Sequence, residues 1–211
     1  MSYSVKEVYY TLQGEGSHSG RPAVFIRFSG CNLWSGQEKD RSGAICQFCD
    51  TDFVGIDGPG GGKFRNPTAL ASHILTFWPR NTSVLPYVVF TGGEPMLQLD
   101  QPLIDVLHER GVYIAIETNG TLPVPESVDW ICVSPKANAP WIQRTGSELK
   151  LVYPQPTLLP ETLGETSFNN YYLQPMDGPD LDKNTQQAID YCKQNPEWHL
   201  SIQSHKVLQI P

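Results

Sequence analysis

Six short apolar runs constrain what this chain can become: Ala23 to Phe28, Tyr87 to Phe90, Val112 to Ile116, Trp130 to Val133, Leu149 to Tyr153 and Tyr171 to Leu173. Each is rich in Val, Ile or aromatic residues, and most end in Gly, Pro or polar residues, as strands do. The runs are nearly continuous rather than alternating, which predicts strands of a parallel sheet covered on both faces. Helical signals fill some of the gaps. Asn66 and Pro67 read as an N-cap and a first-turn proline, followed by Leu70, Ile74 and Phe77 at helical spacing. A second helix is expected from about Met96 to Arg110, with Leu99, Leu103, Ile104 and Leu107 on one face and Gly111 as its stop. A third, near Leu181 to Gln194, carries Ala188, Ile189 and Cys192. The segments after Glu117, Ser134 and Tyr153 are poor in helical pattern and rich in proline. The β/α alternation therefore starts well and then loses its helices. This predicts an α/β fold: an abridged, open (β/α)6-type partial TIM barrel of about six parallel strands with reduced helices. Its site belongs at the C-terminal ends of the strands; a doubly wound open sheet is the alternative the same pattern allows.

At 211 residues the chain suits one domain over 1–211, large enough to close a core without disulfides. A net charge of −7 argues against a broad nucleic-acid-binding face, although a local basic pocket for a small anion remains open. No stretch approaches the ~20 apolar residues of a membrane helix. The opening MSYSVKEVYY lacks the basic-then-apolar build of a signal peptide. The expected compartment is the cytoplasm, where thiols stay reduced. Five cysteines are an odd count for a disulfide framework, and clustered ones then point to metal or catalysis.

Cys31, Cys46 and Cys49 follow directly on the strand AVFIRFSG, in the spacing C-x14-C-x2-C. Three thiolates suit a cubane iron–sulfur cluster with one iron open to a small molecule. Structural zinc would want a fourth ligand, and the nearest histidines, His18 and His73, stand at no familiar spacing. By themselves the cysteines fit equally well a lone C-x-x-C plus an unrelated core thiol. Cys132 and Cys192 lie inside apolar patterns and read as core residues. Downstream, TGGEP (Thr91 to Pro95) ends the next strand, and glycines there let backbone approach a ligand closely. Cysteines after one strand and GGEP after the next form a strong joint signal.

These residues resemble the radical S-adenosylmethionine superfamily. YYTLQGEG (Tyr9 to Gly16), FIRFSGCNL (Phe25 to Leu33), FCDTDF (Phe48 to Phe53), TGGEP, IETNGT (Ile116 to Thr121) and SPK (Ser134 to Lys136) further resemble its 7-carboxy-7-deazaguanine synthase family. The likeness runs from Tyr9 to at least Asp177. One departure is plain: the superfamily's usual spacing is C-x3-C-x2-C, so the segment at about 32–45 is an insertion, expected as a loop or short helix beside the cluster. The resemblance implies conversion of 6-carboxy-5,6,7,8-tetrahydropterin to 7-carboxy-7-deazaguanine with loss of ammonia, on the route to queuosine. It implies a 4Fe-4S cluster, catalytic S-adenosylmethionine, Mg2+, a homodimer and an outside electron donor such as flavodoxin.

Residue by residue, the resemblance implies Cys31, Cys46 and Cys49 as cluster ligands. It implies S-adenosylmethionine contacts from Phe48, Cys49, Asp50, Gly93, Glu94, Thr118, Asn119, Ser134, Lys136 and the turn Gln174, Pro175, Met176 and Asp177. For Ser134 and Lys136 an ordinary turn is an equal reading. Substrate contacts fall to Leu12, Gln13, Gly14, Glu15, Arg27, Thr91 and, through a C-terminal tail packed on the barrel, His205 and the carboxylate of Pro211. A solvated terminus is the plainer reading of that tail. Arg27 is a charge inside an apolar strand and needs an anionic partner, either the substrate carboxylate or an internal salt bridge. Thr51 is implied as the protein's magnesium ligand, with a turn hydrogen bond as the alternative. Two rival functions are a glycyl-radical activating enzyme, against which TLQGEG, Arg27 and CDT speak, and a non-catalytic iron–sulfur or zinc-binding electron carrier.

Overall fold

The computed structural model describes residues 2–211 and places every strand in one nine-stranded sheet. In chain order the elements are β1 (Tyr3–Leu12), β2 (Pro22–Phe28), β3 (Gly62–Phe64), α1 (Pro67–Leu75), β4 (Tyr87–Gly92), α2 (Gln101–His108), β5 (Tyr113–Thr118), β6 (Trp130–Val133), β7 (Thr145–Tyr153), β8 (Ser167–Pro175), α3 (Leu181–Gln194), β9 (Trp198–Leu200) and α4 (Ser204–Leu208). The spatial order is β3-β1-β2-β4-β5-β6-β7-β8-β9. From β2 to β9 each neighbouring pair is parallel, while β1 runs antiparallel to β2 and β3. The sheet stays open, with β3 and β9 as its edges, and no α-helix follows β5, β6 or β7 before the next strand. This is the open, helix-poor barrel expected from the apolar runs, which lie in β2 and β4 to β8.

Local chemistry explains the elements. Asn66 caps α1 by accepting from the Ala69 amide, and Pro67 occupies its first turn. The helix expected from Met96 to Arg110 is a correction. Pro95–Leu97 forms a separate 3-10 turn, and α2 begins only at Gln101. Asp100 stops the earlier turn from continuing, because it adopts an extended backbone and accepts from the Leu103 amide while Pro102 sits in the first turn. Leu99 is nevertheless buried, in the joint between the two. Leu103, Ile104 and Leu107 of α2 are fully buried against α1 and the convex face of the sheet. Burial of each contributes roughly 1.5–3 kcal/mol. A second core under α3 gathers Leu149, Leu151, Leu173, Ala188 and Trp198.

Strand periodicity of two sorts side chains between faces. Val24, Ile26 and Phe28 of β2 enter the helix-side core, so Phe25 and Arg27 face the concave side. The register pairs Arg27 with Thr91 and Glu117 with Cys132. Polar residues on otherwise apolar strands thus collect on one concave surface.

Candidate active site

That concave surface is the floor of a cavity of about 420 Å³. The cysteines belong to its lining. After Cys31, the carbonyl of Leu33 accepts from the amides of Ile45 (3.1 Å) and Cys46 (3.3 Å). Residues 34–44 therefore form a closed excursion containing a 3-10 turn, Glu38–Gly43. Along the short path from Cys31 to Cys46 only Asn32, Leu33 and Ile45 remain, which is the three-residue interval of the usual C-x3-C. The excursion thus lengthens the chain between two hydrogen-bonded points, Leu33 and Ile45.

All three thiols are free and line the same cavity. A hydrogen bond from Cys46, aided by the Thr51 amide, holds the Cys49 thiol down to about 6, while the same bond and burial push Cys46 up. Burial raises Cys31, whose sulfur accepts from the Leu33 amide at 3.4 Å. The Lys136 ammonium favours thiolates at both Cys46 and Cys49. This donor set fits a cluster held by three thiolates. It fits zinc poorly, because His18 is engaged with Tyr87 (2.8 Å) and Trp130, and His73 with the Gly60 carbonyl.

Gly92 and Gly93 bring the end of β4 against the cysteine turn. Gly92 has φ +141°, and a Cβ on Gly93 would stand 2.2 Å from the Gly30 carbonyl oxygen and 2.7 Å from the Cys31 Cβ. Glu94 stands behind the cavity rather than in its lining. It is fully buried and outside the cavity lining, with its carboxylate accepting from Thr118 Oγ1 (2.7 Å), the Asn119 amide (2.8 Å) and the Met96 amide (2.9 Å). It holds Thr118 and Asn119, which do line the cavity. Met176 bonds Tyr153 and Asn184 through its amide and carbonyl, and it is absent from the lining that Gln174, Pro175 and Asp177 join. Phe48, Asp50, Gly93, Ser134 and Lys136 all border the cavity, and Lys136 Nζ donates to the Ser134 carbonyl and hydroxyl.

On the opposite wall lie Leu12, Gln13, Gly14, Glu15, Arg27 and Thr91. Arg27 makes the internal salt bridge of its two sequence readings, Nε binding Glu7 at 2.7 Å and Nη2 binding Tyr9 at 3.0 Å, and the residue also borders the cavity. Thr51 borders it too, with its hydroxyl 3.4 Å from Asp50. The tail crosses from β9 to the loop after β1. The Ser204 amide donates to the Gly14 carbonyl (3.0 Å), Gln203 to Glu15 (3.0 Å), and Thr11 to the Pro211 carbonyl oxygen (2.9 Å). His205 and Pro211 line the cavity.

No protein-family model matches the chain. The 7-carboxy-7-deazaguanine synthase of Burkholderia multivorans is 59% identical over 211 residues, covering all of both chains. Those of Caulobacter vibrioides and Bordetella pertussis are 57% and 56% identical over the same full lengths. The chain belongs to the 7-carboxy-7-deazaguanine synthase family. A crystal structure of QueE from Escherichia coli superposes with a TM-score of 0.69 at 26% identity, covering 96% of this chain and 94% of that one.

In this member of the 7-carboxy-7-deazaguanine synthase family, sequence reasoning missed several cavity residues. Lys150 is the most telling: its ammonium lies 2.6 Å from Glu15 and 2.7 Å from Glu117, with a side chain only 4% exposed. It sits in LKLVY, a charge in an apolar run like Arg27, so the signal was present. Its ammonium compensates an acidic floor in which ligand atoms of Glu117, Cys132 and Glu148 lie within 4.8 Å of one another. Gln203 and Lys206 offered no sequence signal. Lys206 pairs with Asp50 at 2.5 Å and with Asp177, joining the tail to two cavity walls.

The close packing at Gly93 carries an expected outcome. Gly93→Ala will force the β4 turn away from Gly30 and Cys31, costing about 1–3 kcal/mol in denaturant unfolding and lowering iron retention after reconstitution. Wild-type behaviour on both measurements would contradict the close-approach role.

Proposed function

We propose that this chain catalyses the ring contraction of 6-carboxy-5,6,7,8-tetrahydropterin to 7-carboxy-7-deazaguanine with loss of ammonia, as a radical S-adenosylmethionine carbon–nitrogen lyase in queuosine biosynthesis. The observation that carries this reading is the convergence of three free cysteines and a charged wall of Glu15, Arg27 and Lys150 on one cavity, in a chain 59% identical to a named synthase. Held by Cys31, Cys46 and Cys49, a 4Fe-4S cluster would supply the electron for reductive cleavage of S-adenosylmethionine.

The protein's own residues bind and orient. Gly93, Thr118, Asn119, Ser134 and Lys136 at the ends of successive strands, with Phe48, Asp50 and the Gln174, Pro175 and Asp177 turn, form the S-adenosylmethionine side of the cavity. Glu94 positions Thr118 and Asn119 from behind. Glu15 and Gln13 present acceptors and donors to the edge of a pterin, with Gly14 and Leu12 beside them. Arg27 faces the substrate carboxylate, and Thr91, His205 and Pro211 complete that side. The tail covers the cavity and excludes water. Thr51 would supply a hydroxyl to Mg2+, a cation that would offset negative charge on the substrate. The whole chain acts as one domain, as a cytoplasmic homodimer reduced by a flavodoxin-type donor. No helix among the described residues is long and apolar enough to cross a membrane.

Anaerobic reconstitution followed by reductant, Mg2+, S-adenosylmethionine and the pterin should yield 7-carboxy-7-deazaguanine by mass spectrometry. Release of 5′-deoxyadenosine without that product would redirect the reading to another substrate. Neither product from a protein with an intact, reducible cluster would refute it. For Thr51→Ala, the expected result is a higher Mg2+ concentration for half-maximal rate, roughly tenfold, with unchanged iron content. An identical Mg2+ titration would remove Thr51 from the metal site.

A further inference from the structure

The excursion at residues 34–44 carries an arginine that links it to the cysteine turn. Arg41 Nη1 donates to the carbonyls of Gln47 (2.9 Å) and Cys49 (3.0 Å). Its Nε lies 2.8 Å from both carboxylate oxygens of Glu38, and its guanidinium carbon stacks 4.1 Å from the Trp34 ring centre. Trp34 is itself buried and packs edge-on against the buried Phe53, so the platform under the guanidinium is anchored in the core. The Arg41 side chain is only 28% exposed. The turn from Cys46 to Cys49 has no regular secondary structure, so its carbonyls need donors from elsewhere.

We propose that Arg41 is a positioning residue for the cluster: it clamps the Cys46–Cys49 turn through the Gln47 and Cys49 carbonyls, and with Glu38 it sets the local charge there. The proposal rests on the family reading and assigns a purpose to the inserted segment. A planar guanidinium serves this task because it reaches two carbonyls, a carboxylate and an aromatic face at once. Groups that orient metal ligands in this way govern both retention and potential. The Arg41–Glu38 pair is neutral as a unit, so removing either partner leaves a charge of opposite sign beside the thiolates.

The test compares Arg41→Gln, Arg41→Lys and Glu38→Gln with wild-type chain, all reconstituted anaerobically and checked for fold by circular dichroism. The readouts are iron loss to a chelator and the midpoint of the reduced-cluster electron paramagnetic resonance signal. Arg41→Gln is expected to lose iron about 10–100-fold more readily and to shift the midpoint to more negative potential. Glu38→Gln is expected to shift it to more positive potential, and both shifts should shrink at high salt. Arg41→Lys keeps the charge but loses the fork, so iron loss rises while the midpoint stays near wild type. A merely structural arginine would not produce shifts of opposite sign. Wild-type chelator sensitivity in both Arg41 variants, or midpoints unmoved in Arg41→Gln and Glu38→Gln, would overturn the proposal. If Arg41→Gln does not fold, the Arg41→Lys iron loss and the Glu38→Gln midpoint decide by the same criteria. A folded wild-type chain that takes up no cluster would overturn the radical S-adenosylmethionine reading of the site, and this one with it.

Discussion

Lys150→Met will destabilise the chain by about 3–5 kcal/mol in denaturant unfolding and abolish turnover. The magnitude follows from what the ammonium leaves behind. Glu15 and Glu117, 16% and 17% exposed at the side chain, both bind Lys150 within 2.7 Å, and Glu148 lies beside Glu117. Without the cation, Glu15 and Glu117 of the cavity wall and the buried Glu148 beside them lose their shared counter-charge. Double substitution to Lys150→Met with Glu117→Gln should recover part of the loss, since removing both partners is far less costly than stranding one. A single variant as stable as wild type would show that the pair carries no structural energy.

The same network predicts a pH signature. Burial alone would raise the Glu15 carboxyl, but the charge and hydrogen bond of Lys150, helped by Gln203, hold it down to about 2. A carboxyl that titrates lower in the folded than in the unfolded chain stabilises the fold above the unfolded value of about 4.3. That contribution is lost as pH falls from there toward about 2. Glu15→Gln should flatten this part of the stability profile. Burial pushes Glu117 the other way despite the same lysine, which makes it the carboxyl on this floor that more readily keeps a proton.

Cys46→Ala should eliminate both cluster retention and product, whereas Cys192→Ala should retain both. Cys46 returns to the Cys31 neighbourhood only because the Leu33 carbonyl closes the excursion, so its thiol has no flexible substitute within reach. Two remaining thiolates leave two irons of a cubane without protein ligands. Cys192 lies on α3, packed against the second core and away from the cavity lining. Iron per chain and product yield, measured on the two variants side by side, check this. Equal iron in both would mean that the cavity thiols are not the ligands.

What the sequence by itself determined is local. Apolar runs placed β2 and β4 to β8, Asn66 and Pro67 started α1, and the fading helical pattern after Glu117 anticipated a barrel that stays open. The cysteines, the glycines of GGEP and the loop at Gln13 to Glu15, singled out in the sequence, all border the cavity. Each of these signals depends on neighbours within a turn or a strand. What only the tertiary structure decided depends on partners far apart. β1 escaped notice because Lys6 and Glu7 break its apolar pattern, and their partners, Asp52, Asp57 and Arg27, become visible only on pairing. Glu94 proved to face Thr118 and Asn119 rather than the cavity, which no reading of GGEP reveals. The fourteen residues between Cys31 and Cys46 became a three-residue step only through hydrogen bonds to one carbonyl. Lys206 reaches Asp50 across 156 positions of sequence. Strand periodicity tells which face a side chain takes; the partner it finds there is set by sheet order and by where the chain's end returns, and neither is a local property.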